Sequence, residues 1–175
     1  MKQIIYILFT SVIVGCCQNS KQTKQSNQDE STISPRKNSF DFYSNSVLTV
    51  IDAEELCEFN FDFFLPMLNQ KLANYGIKLE VETVDNYQSS FEILINEQKV
   101  KLYSESELSD GTFWDSGPRN FFRKVNEILE EKDINKKFYL LYTGNDLNAL
   151  FLTEKQFKTM SKLNEGEAKE IPFLP

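Results

Sequence analysis

Histidine is absent from this sequence of 175 residues, and cysteine occurs only three times. The absence of histidine excludes Ser-His-Asp triads, histidine-ligated zinc and histidine general bases. Basic residues are also in the minority, with 19 against 26 acidic ones. The resulting net charge of −7 argues against nucleic acid as a partner, because phosphate binding needs a basic surface. Beyond the N-terminus no apolar run is long enough to cross a bilayer, which excludes a polytopic membrane protein.

The N-terminal segment has the pattern of a secretion signal. Lys2 precedes an apolar run over residues 4–14, which is too short for a transmembrane helix and is typical of the hydrophobic region of a signal peptide. The run closes on the sequence Ile-Val-Gly-Cys16, which resembles the lipobox of bacterial lipoproteins. This resemblance implies that residues 1–15 are a lipoprotein signal peptide and that Cys16 carries a diacylglyceryl group and a fatty acid such as palmitate. An ordinary secretion signal or a buried first strand is the alternative.

The same resemblance implies where the protein resides. Each buried methylene of an acyl chain contributes about 0.8 kcal/mol, so the three chains of a mature lipoprotein hold it durably on a membrane. In lipoproteins of bacteria with two membranes, Asp after the modified cysteine favours retention at the inner membrane. That position is Cys17 here. The expected location is therefore the bacterial cell envelope, at the outer rather than the inner membrane, with the lipid on Cys16 as the link.

Residues 16–39 are predicted to be a disordered tether that begins at the lipidated cysteine. Ile33 is the single aliphatic residue from position 18 to position 39, and such a segment buries too little apolar surface to offset its ordering entropy. Residues 1–39 hold five basic and two acidic side chains, so residues 40–175 retain 14 basic and 24 acidic ones, a net charge of −10. The remainder is predicted to be a single acidic domain, residues 40–175.

The hydrophobic patterns of this domain predict an α+β fold, in which about three helices pack on one face of a mostly antiparallel sheet of about six strands. The predicted strands are residues 47–51, 78–84, 91–96, 99–103, 138–142 and 147–152. The predicted helices are residues 62–75, a helix with Pro118 at its first position, and a last helix that Thr153 and Gln156 open as a capping box. Residues 104–117 are predicted to be a polar loop.

An acidic cluster is the densest charge feature of the domain. Its members are Asp52, Glu54, Glu55, Glu58 and Asp62. We interpret it as a docking face for a basic envelope or secreted protein, because complementary potentials steer association. The competing interpretation is the solvated side of a helix, with Asp52 and Glu55 forming a capping box. A hydrolase with paired carboxylates is a third interpretation. It needs one desolvated carboxyl group and a second one at a distance that leaves room for the attacking water.

The only tryptophan, Trp114, marks a second predicted contact together with Asp115. Tryptophan is common at the centre of interfaces, so both residues are predicted to contact a partner. Alternatively, Trp114 folds inward as a lid on the core, and Asp115 or Ser116 caps the following helix. Cys57, the one cysteine of the domain, has no histidine to activate it and is predicted to be a buried, idle thiol.

No catalytic constellation, cofactor motif or metal-ligating set emerges from these patterns. The leading interpretation is a lipid-anchored, non-catalytic protein-binding domain, similar in composition to inhibitor or immunity proteins that neutralise basic toxins or hydrolases. A lipoprotein that binds a small ligand and a carboxylate-dependent envelope hydrolase are the alternatives. Residues 142–153 resemble a turn-and-strand element of an uncharacterised bacterial α+β domain, and this resemblance implies no activity.

Overall fold

The computed structural model of the chain describes residues 40–175. The strands are β1 (Leu48–Val50), β2 (Val81–Thr83), β3 (Glu92–Ile95), β4 (Gln98–Lys101), β5 (Lys136–Leu141) and β6 (Asn148–Thr153). The helices are α1 (Ala53–Cys57), α2 (Leu65–Ala73), α3 (Tyr87–Ser90), α4 (Glu105–Asp110), α5 (Phe113–Glu131) and α6 (Glu154–Leu163). A short 3-10 turn, Gly144–Asp146, connects β5 to β6. The mixed helix and strand content follows the prediction.

The strands form two antiparallel sheets of three strands, where the patterns predicted one sheet of six. The first sheet has the order β1-β6-β5, so the first strand pairs with the last one. The second sheet is the meander β2-β3-β4. Its β3–β4 turn consists of Asn96 and Glu97, both with positive φ, which is the geometry of a tight two-residue hairpin. The predicted hairpin is confirmed, whereas the division into two sheets depends on contacts between distant segments.

Helices lie on both faces of the first sheet, where the prediction had them on one face. Phe138, Leu140 and Phe151 face the main core, which also contains the buried sides of α1, α2, α5 and the second sheet. Tyr139 and Leu150 face the opposite way and form a smaller core with Phe42, Val47 and Met160 of α6. Four successive residues are buried in each of β5 and β6. Such continuous apolar runs are typical of strands that are covered on both faces.

The segment 104–117 is largely helical, which corrects the prediction of a polar loop. Ser104 caps α4 and forms a capping box with Glu107, and Gly111 ends that helix with φ 73°. Helix α5 then begins at Phe113, so Pro118 lies inside the helix instead of opening it. The capping box at Ser104 is a local signal for the start of a helix, but the prediction relied on Pro118 as the start instead. The second predicted box, with Thr153 and Gln156 at the start of α6, is confirmed.

Three asparagine side chains take the place of a neighbouring strand. The amide of Asn126 accepts from the N–H of Phe138 at 2.7 Å and donates to the C=O of the same residue at 2.9 Å. Asn69 makes the same pair of bonds to Leu79, at 2.7 and 2.9 Å. The third, Asn96, accepts from the N–H of Glu80 at 2.7 Å. Two of these amides engage the backbone of residues 79 and 80, directly before β2 begins at Val81.

The outer edge of β5 is closed by groups that belong to no sheet. Asn126 pairs with Phe138, as described above, and the backbone of Leu140 exchanges two hydrogen bonds of 2.8 Å with Phe173. An uncovered strand edge is a template for unwanted pairing with another chain. The side of β5 that faces away from β6 is thereby protected along its middle.

Candidate functional site

Three of the predicted contact residues, Glu54, Trp114 and Asp115, line one groove. The other lining residues are Gly111, Thr112, Thr143, Gly144 and Asn145. The groove, which we call the tryptophan groove, has a volume of about 660 Å³. Clefts of roughly 300–1,000 Å³ are typical of binding sites. Its walls are the start of α1, the turn between α4 and α5, and the 3-10 turn between β5 and β6.

The N-terminus of α1 places Glu54 at this groove. Asp52 adopts φ 53° as the N-cap, and its carboxylate accepts a hydrogen bond of 3.0 Å from the N–H of Glu54. The predicted capping role of Asp52 is therefore confirmed, although the bonded N–H belongs to Glu54. Glu55 accepts a hydrogen bond from the side chain of Asn60 instead. Among Asp52, Glu54 and Glu55, only Glu54 is exposed.

Trp114 packs on the core, as one interpretation of its sequence position predicted, and part of its ring remains accessible. It lies in the first turn of α5, it is partly buried, and its ring centroid is 4.1 Å from that of Phe113. It packs against the main core and also forms a wall of the tryptophan groove. An indole with one covered side and one accessible side is common at binding surfaces, because it offers a large apolar area together with an N–H donor.

Asp115 has a partner within its own helix. Its carboxylate lies 2.7 Å from Nε of Arg119, one turn further along α5, and the guanidinium of Arg119 stacks over Phe173 at 4.3 Å from the ring centroid. The N-cap of α5 is Thr112, whose side chain makes no capping bond. Neither Asp115 nor Ser116 caps the helix, contrary to the alternative prediction. The acidic charge in the first turn is nevertheless favourable for the helix dipole.

The members of the acidic cluster border different depressions of the surface. After α1 the backbone turns at Phe59, which has φ 64°. Glu58 and Asp62 are exposed, and neither lines the tryptophan groove. Asp62 instead borders a depression beside β2. Of the acidic cluster, the tryptophan groove therefore contains Glu54.

The groove wall formed by Thr143, Gly144 and Asn145 was missed as a contact element. Their sequence predicted a turn, and the structure has a 3-10 turn in which Gly144 adopts φ 65°. A turn pattern indicates a change of direction but not the surface that the turn faces. Here it packs beside α1 and faces the groove.

Three carboxyl groups of residues 40–175 have pKa values shifted downward. A hydrogen bond from the hydroxyl of Ser104 lowers the pKa of Glu107, and hydrogen bonds from lysines lower those of Glu80 and Glu154. A general acid at neutral pH needs a carboxyl group with a raised pKa. Within residues 40–175, no group of three acidic or cysteine side chains is positioned to hold a metal ion.

Cys57 is the last residue of α1, and its sulfur faces α5 as a buried thiol, as predicted. Its side chain is 2% exposed and Sγ donates to the C=O of Phe113 at 3.3 Å. Burial raises the pKa of this thiol from 9.0 to about 12. The reactive thiolate is therefore scarce at neutral pH.

The remaining predictions concern residues outside the described part of the chain. The lipidation site Cys16, the signal peptide of residues 1–15 and the tether of residues 16–39 all belong to this category. Among the helices of residues 40–175, none has the length and apolar character needed to cross a membrane. Comparison of the chain with protein-family models, with curated proteins and with solved structures finds no match.

Proposed function

We propose that this protein is a lipid-anchored protein of the bacterial cell envelope whose domain, residues 40–175, binds a basic protein at the tryptophan groove. The observation that carries the proposal is that Glu54 of α1 and the adjacent residues Trp114 and Asp115 of α5 line one groove, although the two helices are far apart in the sequence. The lipobox-like sequence that ends at Cys16 supports the anchoring. The domain then faces its partner from the membrane surface at the end of a polar tether.

The groove offers complementary chemistry to a lysine or arginine side chain. Two of its lining residues are acidic and none is basic. Asp115 already forms an ion pair with Arg119. Glu54 has no ion-pair partner among residues 40–175, so its carboxylate is available to a basic side chain of a partner. A long basic side chain can lay its methylene stem along the indole of Trp114 and place its charge near Glu54.

The charge of the whole domain supports the same kind of partner. A net charge of −10 over residues 40–175 attracts a basic protein from a distance and raises the rate of association. Such steering weakens as salt is added, because the Debye length is about 10 Å at 0.1 M ionic strength and about 3 Å at 1 M. A protein that neutralises a basic toxin or hydrolase in the envelope fits this description.

Replacing Cys16 and Cys17 together with alanine tests the anchoring. The full-length chain, expressed in a bacterium that processes lipoproteins, is expected to incorporate labelled palmitate and to sediment with the membranes. The double variant Cys16→Ala/Cys17→Ala is expected to lose both properties, because no thiol remains at the end of the signal; alanine at position 16 alone would place a small residue before Cys17 and offer that thiol instead. Cys17→Ala is the matched control and is expected to behave as the natural chain. Continued labelling of the double variant, or loss of labelling in Cys17→Ala, would contradict lipidation at Cys16.

Reversing the charge of Glu54 tests the docking site. The full-length chain in detergent is used to capture proteins from solubilised envelopes at low and at high salt. A basic protein is expected to bind at low salt, to be released at high salt, and to bind Glu54→Lys at least about thirtyfold more weakly, as for an interface hot spot. Glu58→Lys, an exposed position on the same segment outside the groove, is expected to retain binding.

The fluorescence of Trp114 adds a local readout of the same interaction. Because the chain has a single tryptophan, a partner that enters the groove is expected to change its emission spectrum. Equal capture by the natural chain and by Glu54→Lys would contradict docking at this site. So would capture that leaves the emission of Trp114 unaltered.

A further inference from the structure

A second cavity lies between the segment that precedes β1, the second half of α2 and the start of β5. Its volume is about 380 Å³, within the range of small-molecule sites. Lys71, Lys136, Tyr75, Phe151, Phe40 and Asn45 are among the residues that line it. It shares no lining residue with the tryptophan groove. We call it the lysine cavity.

The two lysines of this cavity differ from the other partly buried cations of the domain. In residues 40–175, five basic side chains are partly buried. Three of them, Arg119, Lys124 and Lys137, each pair with a carboxylate. Lys71 and Lys136 have no carboxylate of the described residues within 4.0 Å. In a domain with 24 acidic residues, two unpaired and partly desolvated charges at one cavity are unexpected, because burial of a charge is costly without a partner.

Neutral groups hold both ammonium groups in place. Nζ of Lys71 donates to the C=O of Asn45 at 2.6 Å. Nζ of Lys136 lies 5.1 Å from the ring centroid of Phe151 and 5.8 Å from that of Tyr75, within the range of cation–π attraction. These contacts orient the two cations but supply no negative charge. Consistent with this, desolvation lowers the pKa of Lys71.

We propose that the lysine cavity binds a small organic anion in which a phosphate or carboxylate group is attached to an aromatic or apolar body. The anionic oxygens lie between Lys71 and Lys136 and provide the missing countercharge. The body packs against the accessible parts of Tyr75 and Phe40, and the buried ring of Phe151 supports Tyr75 edge to face at 5.5 Å. This site does not depend on the tryptophan groove, so either proposal can fail without the other.

Calorimetric titration of the full-length chain with phenyl phosphate tests this site. We expect saturable binding of one ligand per chain, and inorganic phosphate and phenol are each expected to bind more weakly, since each lacks one half of the recognised structure. Lys71→Met and Lys136→Met are each expected to weaken binding about tenfold or more, as for the loss of a charge-assisted hydrogen bond. Lys155→Met, at an exposed lysine of α6, is the matched control and is expected to bind normally. Titration with benzoate shows whether a carboxylate replaces the phosphate.

Two further variants guard against misfolding as an explanation. Lys71→Arg and Lys136→Arg keep the charge and are expected to retain binding within a few-fold, while circular dichroism reports whether all variants are folded. The proposal is overturned if neither phenyl phosphate nor benzoate shows saturable binding below a concentration on the order of 10 mM. It is also overturned if the folded methionine variants bind as tightly as Lys155→Met.

Discussion

Replacing Asn126 with alanine is expected to lower the free energy of unfolding by about 2–5 kcal/mol. The side chain is 7% exposed, and its amide satisfies both the N–H and the C=O of Phe138. Its removal leaves two buried backbone groups without partners, at a cost of about 1–3 kcal/mol each. Urea denaturation that follows circular dichroism measures the change, and a constant m-value verifies that the midpoint shift reflects stability.

Two comparisons separate the lost hydrogen bonds from lost packing. Asn126→Leu keeps the branching and the number of heavy atoms of the side chain but not the amide, so it is expected to be destabilising as well. Asn120→Ala, on the same helix, removes a bond of 2.8 Å to the C=O of Leu102 at a partly buried position and an exposed bond from Arg123, and is expected to cost only about 1 kcal/mol. A loss of less than about 1 kcal/mol for Asn126→Ala would show that water replaces the amide.

Replacing Gly117 with alanine is expected to destabilise the domain by about 1–3 kcal/mol. Alanine favours a helix over glycine by up to about 1 kcal/mol, so propensity alone predicts the opposite sign. The steric effect is larger here, because a Cβ at position 117 would lie 2.7 Å from Sγ of Cys57. The thiol of Cys57 is buried and donates a hydrogen bond to the C=O of Phe113. Helices α1 and α5 would have to separate to accommodate the methyl group.

A double variant identifies Cys57 as the cause of this clash. Cys57→Ala alone is expected to cost about 1 kcal/mol for the lost contacts of the sulfur. In the combination with Gly117→Ala the new methyl group occupies the vacated space, so the two effects are expected to be coupled by about 1–2 kcal/mol in the stabilising direction. Denaturation of all four proteins gives this coupling. Strict additivity would contradict the steric explanation.

The close approach of Gly117 to Cys57 also sets the geometry of the tryptophan groove. Glu54 is on α1, and Trp114 is on α5 within one turn of Gly117. The spacing of these helices therefore determines the distance between the carboxylate and the indole. Gly117→Ala is expected to change the emission of Trp114 even under conditions in which the domain remains folded.

Local features were predictable from the sequence, because neighbouring residues determine them. The β3–β4 hairpin and the capping box at Thr153 are examples. The partners of a strand are determined by packing between distant segments, and for this reason two sheets form where one was predicted. The helical state of residues 104–117 was missed because the prediction placed a helix start at Pro118. In the structure Pro118 lies inside α5, a helix whose apolar side is buried in the core.

The candidate site was predictable by residue type but not by arrangement. Glu54 and Trp114 were selected as an exposed charge and an interface aromatic, yet their sharing one groove depends on the approach of α1 to α5 at Gly117. The lysine cavity gave no signal, because Lys71 and Lys136 are far apart in the sequence and each stands in an ordinary amphipathic pattern. Only the fold shows that both lack a carboxylate partner among the described residues.

The pairing of β1 with β6 also has a consequence for the rate of folding. Leu48 lies opposite Leu150, and closing a loop of roughly a hundred residues costs roughly 2.5 kcal/mol more in chain entropy than closing the short β5–β6 connection. Such non-local pairing slows folding. The hairpin of β5 and β6 is expected to form early and β1 to join it late. The pairing of β1 must therefore wait until the last strand has been synthesised, which suits export of the chain before it folds, as needed by the envelope protein proposed above.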